Sequence, residues 1–199
     1  MLRPLFILGF ALFLSSALTR AEIELHPRYV AIDVGGAIIR RAYFAEGNKN
    51  YAVTIDAETE VLDGTGGAVF RFKSVEGAEV SLRPSPLTVA VPFTLEKLPE
   101  YLKSARMLLG NSAIITKETP ALLDVFPING WTSCRYTFQY QVAGISYESD
   151  VTFLNISEKQ QVVMVTGAKE KDFEQVRARA DKLMKRWHEV LPGDEQGQN

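Results

Sequence analysis

Residues 131–190 constrain the fold more than any other stretch, because three strand-like runs follow one another directly and are closed by one amphipathic run. From Thr132 to Val142 every second residue is Thr132, Cys134, Tyr136, Phe138, Tyr140 and Val142, with Ser133, Arg135, Thr137, Gln139 and Gln141 between them. A period of two puts the aromatic set on one face of a strand. Ala143-Gly144 supplies a short turn, in which Gly144 is free to take positive φ. The chain returns with Ile145, Tyr147, Ser149, Val151 and Phe153 on one face and Ser146, Glu148, Asp150 and Thr152 on the other. Residues 157–160 form a polar turn. Val162, Val163, Met164 and Val165 then form a third strand, apolar on both sides as a strand covered by two layers would be.

The amphipathic run is read as a helix. Asp172 is its expected N-cap, with Gln175 three residues on as in a capping box. Phe173, Val176, Ala180, Leu183, Met184, Trp187 and Val190 share one stripe at helical spacing. Burying Phe173, Leu183, Met184 and Trp187 on a sheet contributes roughly 1.5–3 kcal/mol each. The helix is expected to reach Val190 and to end at Pro192-Gly193, leaving residues 192–199 as a disordered polar tail.

The first 21 residues read as an export signal. Met1-Leu2-Arg3 is a short basic start, residues 5–18 are almost entirely apolar, and Thr19-Arg20-Ala21 resembles a cleavage site with small residues. The apolar run is shorter than the ~20 residues a membrane span needs, and an uncleaved anchor is the alternative. No cysteine follows it to carry a lipid. Losing Arg3 and Arg20 leaves 20 basic against 24 acidic residues, a balance of −4. That mild acidity argues against a nucleic-acid partner, which wants a basic footprint. The expected location is periplasmic or extracellular, with no transmembrane helix in the mature chain. Cys134 is the single cysteine, so an internal disulfide is impossible and the core alone must hold the domain.

The middle of the chain adds strands and a second helix. Gly35-Gly36 sits between the apolar runs 29–34 and 37–44, a hairpin pattern. Residues 51–56, 68–73 and 79–82 are expected as successive antiparallel strands. Leu95, Leu98, Leu102, Ala105 and Leu109 form a helical stripe closed by Gly110, with Pro99 in the first turn. Residues 113–117 resume strand character. Strands and helices do not alternate strictly, so the fold class is α+β: a mainly antiparallel sheet with a helix on both faces, an α/β/α sandwich.

Gly130, the Tyr136-to-Tyr140 strand, the Gly144 turn, the Val162-to-Thr166 strand and the helix opened by Asp172-Phe173 resemble the PsbP-like fold family. That fold is shared by the extrinsic photosystem II protein, the bacterial envelope protein DcrB and a nuclear Ran-binding import factor. The resemblance covers residues 51–190 and implies an accessory role, carried by structural positions and no catalytic signature. The implied organisation is a signal peptide (1–21), an extension with a hairpin (22–50), a PsbP-like domain (51–191) and a tail (192–199). Export makes a nuclear-transport role implausible. Some proteins of this fold are associated with divalent or manganese ions.

Candidate chemistry is sparse. Asp63-Gly64-Thr65-Gly66-Gly67 precedes a strand and lacks the Lys-Ser/Thr of a phosphate loop, so it reads as a turn. Asp33-Val34-Gly35-Gly36 reads as a hairpin rather than a phosphate-binding turn. His26 and His188 lack metal-ligand spacing, and His188 is expected at a helix C-terminus, where a cation suits the dipole. Cys134 on its aromatic face reads as a small buried residue; a thiolate would need a basic neighbour. Asn155-Ile156-Ser157 is a glycosylation acceptor if the host is a eukaryote. No metal, cofactor or catalytic set is expected.

Three functional readings remain. The first is a non-enzymatic exported module that docks on another envelope or secreted protein. Trp131 and Arg135, residue types enriched at interfaces, are its contact candidates on the strand face opposite Cys134. Sheet-to-helix packing for Trp131 and a solvated edge for Arg135 are the alternatives. The second is a carrier of a small ligand or lipid in a groove between helix and sheet. The third is a hydrolase, which needs Cys134 or a serine beside a histidine.

Overall fold

The computed structural model describes residues 23–46, 49–87, 93–122, 131–157 and 160–190. The signal peptide expected at 1–21 and the tail expected at 192–199 lie outside the described residues, as does Gly130.

Among the described residues two antiparallel sheets form. The smaller contains β1 (Ile23–Val34), β2 (Ala37–Glu46), β3 (Lys49–Ile55) and β11 (Trp187–Val190), in the order β1-β2-β3-β11. The larger contains β4 (Thr59–Gly64), β5 (Gly67–Phe72), β6 (Glu79–Pro84), β7 (Ile114–Glu118), β8 (Thr132–Val142), β9 (Ile145–Ser157) and β10 (Gln160–Lys169). Its order is β4-β5-β6-β10-β9-β8-β7, so β10 occupies the centre. Helix α1 (Leu98–Leu108) precedes β7, and α2 (Phe173–Met184) follows β10.

Local chemistry explains the hairpins. Gly35 and Gly36 both take positive φ (61° and 88°), and the Gly36 amide donates to Asp33 Oδ1 at 2.8 Å. Two positive φ values match the twist of paired strands. The β8–β9 turn does the same with Ala143 at 49° and Gly144 at 79°, Ala143 being the one non-glycine residue with positive φ among the described residues. The expected reading of Asp63 to Gly67 as a turn holds: it joins β4 to β5.

Alternation on the larger sheet separates two cores. Val162, Met164 and Ala168 of β10 join Leu154, Phe70, Phe72, Val80 and Leu82 in one cluster, with Phe173, Val176, Ala180, Leu183 and Met184 of α2. The same cluster takes Ile23, Leu25, Phe44, Val53 and Ile55 from the smaller sheet. Val163 belongs to the second cluster, with Cys134, Tyr136, Phe138, Val151 and Phe153 and with Tyr101 and Ala105 of α1. The fold is α+β with mainly antiparallel sheets, and a second sheet accompanies the one expected from sequence. The layer that holds α2 is shared with a four-stranded sheet, whose apolar residues need burial as much as the helix does.

Three local expectations change. The helix stops at Met184, and Trp187 to Val190 form β11, paired with residues 53 to 50 of β3. Trp187 is buried there and stacks on Phe44 with ring centroids 4.4 Å apart. His188 consequently sits in a strand, its Nδ1 2.9 Å from the Arg186 carbonyl oxygen, and not at a helix end. Asp172 precedes α2 but makes no side-chain cap hydrogen bond; a 3-10 turn, Glu170–Asp172, leads into the helix instead. Finally, β3 joins the smaller sheet, and β4 supplies the neighbour of β5 that was not foreseen.

A charged clamp fixes α2 to the sheet. Asp150, 2% exposed at its side chain, lies between Arg177 (Nε to Oδ2, 2.8 Å) and Arg135 (Nη1 to Oδ2, 3.5 Å). The Thr137 hydroxyl donates to Asp150 Oδ1 at 2.6 Å. Arg135 also reaches Asp181 of α2 at 3.1 Å, and Arg177 reaches Glu174 at 2.7 Å. Burial alone would lower the Arg177 pKa, but the Asp150 hydrogen bond and the surrounding carboxylates raise it.

Candidate functional groove

The second core leaves part of its sheet face open. On β6, Glu79, Ser81 and Arg83 alternate onto this face beside Gly167, Val165 and Val163 of β10. Across β10, Gly167 pairs with Ser149 of β9, and Tyr147 of β9 pairs with Tyr140 of β8. Helix α1 covers the Cys134–Phe138 end and finishes with Leu108, followed by Leu109. Between that helix end and these strands lies an open groove of about 210 Å³, lined also by Gly77 and Ala168.

Gly167 lets Ser149 approach the floor closely. A Cβ there would come within 2.8 Å of Ser149 Oγ and 4.0 Å of the Tyr140 hydroxyl. Those two hydroxyls are hydrogen-bonded to each other at 3.0 Å. Burial pushes the Tyr140 pKa up, against the opposing effect of the Ser149 hydrogen bond and with help from Tyr147 and Glu79. The phenol is thus a neutral hydrogen-bonding group at neutral pH. Tyr140 and Tyr147 stack, with ring centroids 5.7 Å apart. Arg83 Nη2 donates to Ser81 Oγ at 3.2 Å, and Glu79 Oε2 lies 3.7 Å from Arg71 Nε. The groove offers hydroxyls, one guanidinium, one carboxylate and an apolar wall. Its lining contains neither histidine nor cysteine.

The residues singled out from sequence lie elsewhere. Trp131 packs against the α2 core and meets Trp187 edge-on at 6.1 Å. Arg135 is on the face opposite Cys134, as alternation requires, with its side chain 16% exposed and engaged by Asp150 and Asp181. Cys134 is fully buried in the α1 core, where burial pushes its pKa up to about 11, partly opposed by Tyr136. A thiol so placed is protonated at neutral pH and is no nucleophile. His26 is on β1, with Nδ1 2.6 Å from Asp63 Oδ1, and His188 is on β11; both strands belong to the other sheet. Among the described residues no group of three or more His, Cys, Asp or Glu could hold a metal ion. Asn155 lies within β9, where Nδ2 donates to Thr132 and Oδ1 accepts from Gln161. That is no loop position for a glycan.

The sequence contained one pointer to the groove, a glycine interrupting the Val162-to-Lys169 run. A glycine inside a strand marks a place of close approach or a missing side chain. Its partners come from four other elements, and only register unites them.

No protein-family model matches the chain, and no curated protein matches it. Solved structures are similar. One is LpqN, involved in cell envelope biogenesis of Mycobacterium tuberculosis, at 10% identity over 83% of this chain and 92% of that chain, TM-score 0.47. Another is the cyanobacterial PsbP of Synechocystis, at 13% identity over 84% and 94%, TM-score 0.41. A third, a protein of unknown function from Pseudomonas aeruginosa, has 11% identity over 83% and 97%, TM-score 0.38. A PsbP thus stands among the similar structures, as the resemblance in sequence implied. At this distance the likeness concerns architecture only. Among the described residues no helix is long and apolar enough to cross a membrane.

Proposed function

We propose that this chain is an exported, non-enzymatic binding or accessory protein whose ligand seats in the groove beside the end of α1. The observation that carries this reading is the groove that Gly167 helps to line, walled by hydroxyls and by Arg83 and open to solvent. The space is smaller than the roughly 300–1,000 Å³ of drug-sized pockets. It suits a small polar molecule better than a lipid chain. A screen of small polar compounds by amide chemical-shift perturbation is expected to move Ser81, Ser149 and Gly167 together. Gly167→Ala, whose Cβ would displace the Ser149 hydroxyl, should suppress those shifts. A screen in which no compound moves these amides would defeat the reading.

Docking on another envelope or secreted protein is the second reading. Exposed Ile114 and Ile145 favour it, at 69% and 48% exposure. The register places Ile114 beside Gln141 and Ile145 beside Val142, so both lie at one end of the larger sheet, on opposite faces, with Ile145 on the face of the groove tyrosines. In this reading Trp131 and Arg135 remain secondary contacts. A partner captured reproducibly from an envelope extract should be lost with Ile114→Glu/Ile145→Glu. Undiminished capture by that variant would remove this surface from consideration.

A further inference from the structure

We propose that the groove takes a small molecule bearing a single carboxylate, with Arg83 as its counter-charge. The proposal rests on the groove reading above and adds the class of ligand.

The other arginines held at the larger sheet meet carboxylates. Arg135 has Asp150 and Asp181, Arg177 has Asp150, Glu148 and Glu174, Arg71 has Glu79, and Arg106 has Glu118. Arg83 departs from that rule. Among the described residues its one polar contact is the Ser81 hydroxyl. A guanidinium presents five N–H donors in a planar fork that matches a carboxylate with two parallel hydrogen bonds. Half-buried at a groove wall, Arg83 has the charge and the geometry for such a partner and lacks one within the described chain.

The neighbouring groups fit the same ligand. Ser81 Oγ accepts from Arg83, which leaves its own proton to be donated into the groove. Whichever of Tyr140 and Ser149 donates to the other, the acceptor keeps a hydroxyl proton to give. Leu108, Leu109 and Val165 supply an apolar wall for the body of the molecule. Glu79 limits the charge. It lies four residues along the strand from Arg83, about 13 Å between α carbons at strand rise. There it opposes a second negative group while leaving the first to Arg83.

The test uses phenylacetate and its uncharged counterpart phenylacetamide as probes, titrated into the purified chain and followed by amide shifts and by the Arg83 Nε–H signal. Phenylacetate is expected to bind with shifts at Arg83, Ser81 and Gly167, and about tenfold more tightly than the amide, as the loss of one charge-assisted hydrogen bond requires. Arg83→Gln should bring the two probes to equal affinity, and Gly167→Ala should weaken both. Arg83→Gln breaks no ion pair among the described residues, so it carries the test alone if Gly167→Ala fails to fold. Equal binding of both probes to the unaltered protein, lost with Gly167→Ala, overturns the carboxylate inference and leaves the groove reading intact. Absence of binding by either probe, or binding unaffected by both variants, overturns the two together.

Discussion

The two faces of the larger sheet are built from the same strands and are finished in different ways. On one face Leu154, Val162 and Met164 lie under α2 and the smaller sheet, and the charges there are paired at low exposure around Asp150. On the other face Val151, Phe153 and Val163 lie under α1, and the cover ends at Leu109, leaving Ser81, Ser149 and Gly167 facing the groove. One face is sealed; the other keeps an open groove. The contrast sets the sealed core and the candidate groove on opposite sides of the same seven strands. A sealed face fixes the register on which a groove assembled from β6, β8, β9 and β10 depends.

The sharpest way to break this contrast is to remove a charge from each face. Asp150→Ala leaves Arg135 and Arg177 without their central carboxylate in a buried place, and should cost about 3–5 kcal/mol. Glu79→Gln on the groove side loses a half-exposed pair with Arg71 and should change stability by less than about 1 kcal/mol. Denaturant unfolding of both variants checks it. Equal losses would mean that the groove face is as much a structural element as the sealed one.

Trp187→Ala probes how the smaller sheet contributes to the seal. The indole is buried, stacks on Phe44 and meets Trp131 edge-on, so truncation should cost about 3–5 kcal/mol, read as a lowered unfolding midpoint. A loss below about 1 kcal/mol would show that α2 seals the face without β11.

Trp187 also shows where sequence reasoning stopped. Its spacing from Met184 and Val190 matched a helical stripe, and nothing local contradicted that. The decision was tertiary: pairing with Val53 of β3, far away in the chain, outweighed local periodicity. The β8–β9 hairpin was legible because its alternation and its Ala143-Gly144 turn are local signals. Strand β4 was not, since Glu60 and Asp63 dilute its apolar pattern. The groove was legible least of all. Tyr140, Ser149, Gly167 and Arg83 are ordinary strand residues until register brings them together, and only Gly167 gave a hint.

Titration of the α1 core gives a smaller effect with a definite sign. The Cys134 thiol pKa stands near 11 in the fold, against a model-compound value of 9.0. The folded state therefore holds this proton more tightly than the unfolded chain. The resulting stability is fully present below about pH 9 and is lost as pH rises toward about 11, on the order of 3 kcal/mol in all. Cys134→Ala should flatten that alkaline decline. A thiol-reactive dye should react with the wild-type protein only on unfolding; rapid reaction in the native state would mean that the face under α1 opens more than its packing implies.

The smallest effect concerns how α1, the wall of the groove, is held. Arg106 of α1 donates twice to Glu118 of β7, at 2.9 and 2.7 Å, and that hydrogen bonding holds the Glu118 pKa below the usual carboxylate range. A depressed carboxylate contributes stability above its unfolded value of 4.5, and the contribution disappears as pH falls through the lower folded value. Both side chains are well solvated, at 48% and 35% exposure, so solvent screens the pair and its contribution is small. Glu118→Gln should thus fall slightly short of wild type at neutral pH and match it once acid has protonated Glu118 in both states of the wild-type chain. If Glu118→Gln instead weakened probe binding in the groove without changing stability, the tie would act on the position of Leu108 and Leu109 rather than on the fold. The open face would then owe its shape to a surface ion pair, and the contrast between the two faces would extend from how they are covered to how their covers are fastened.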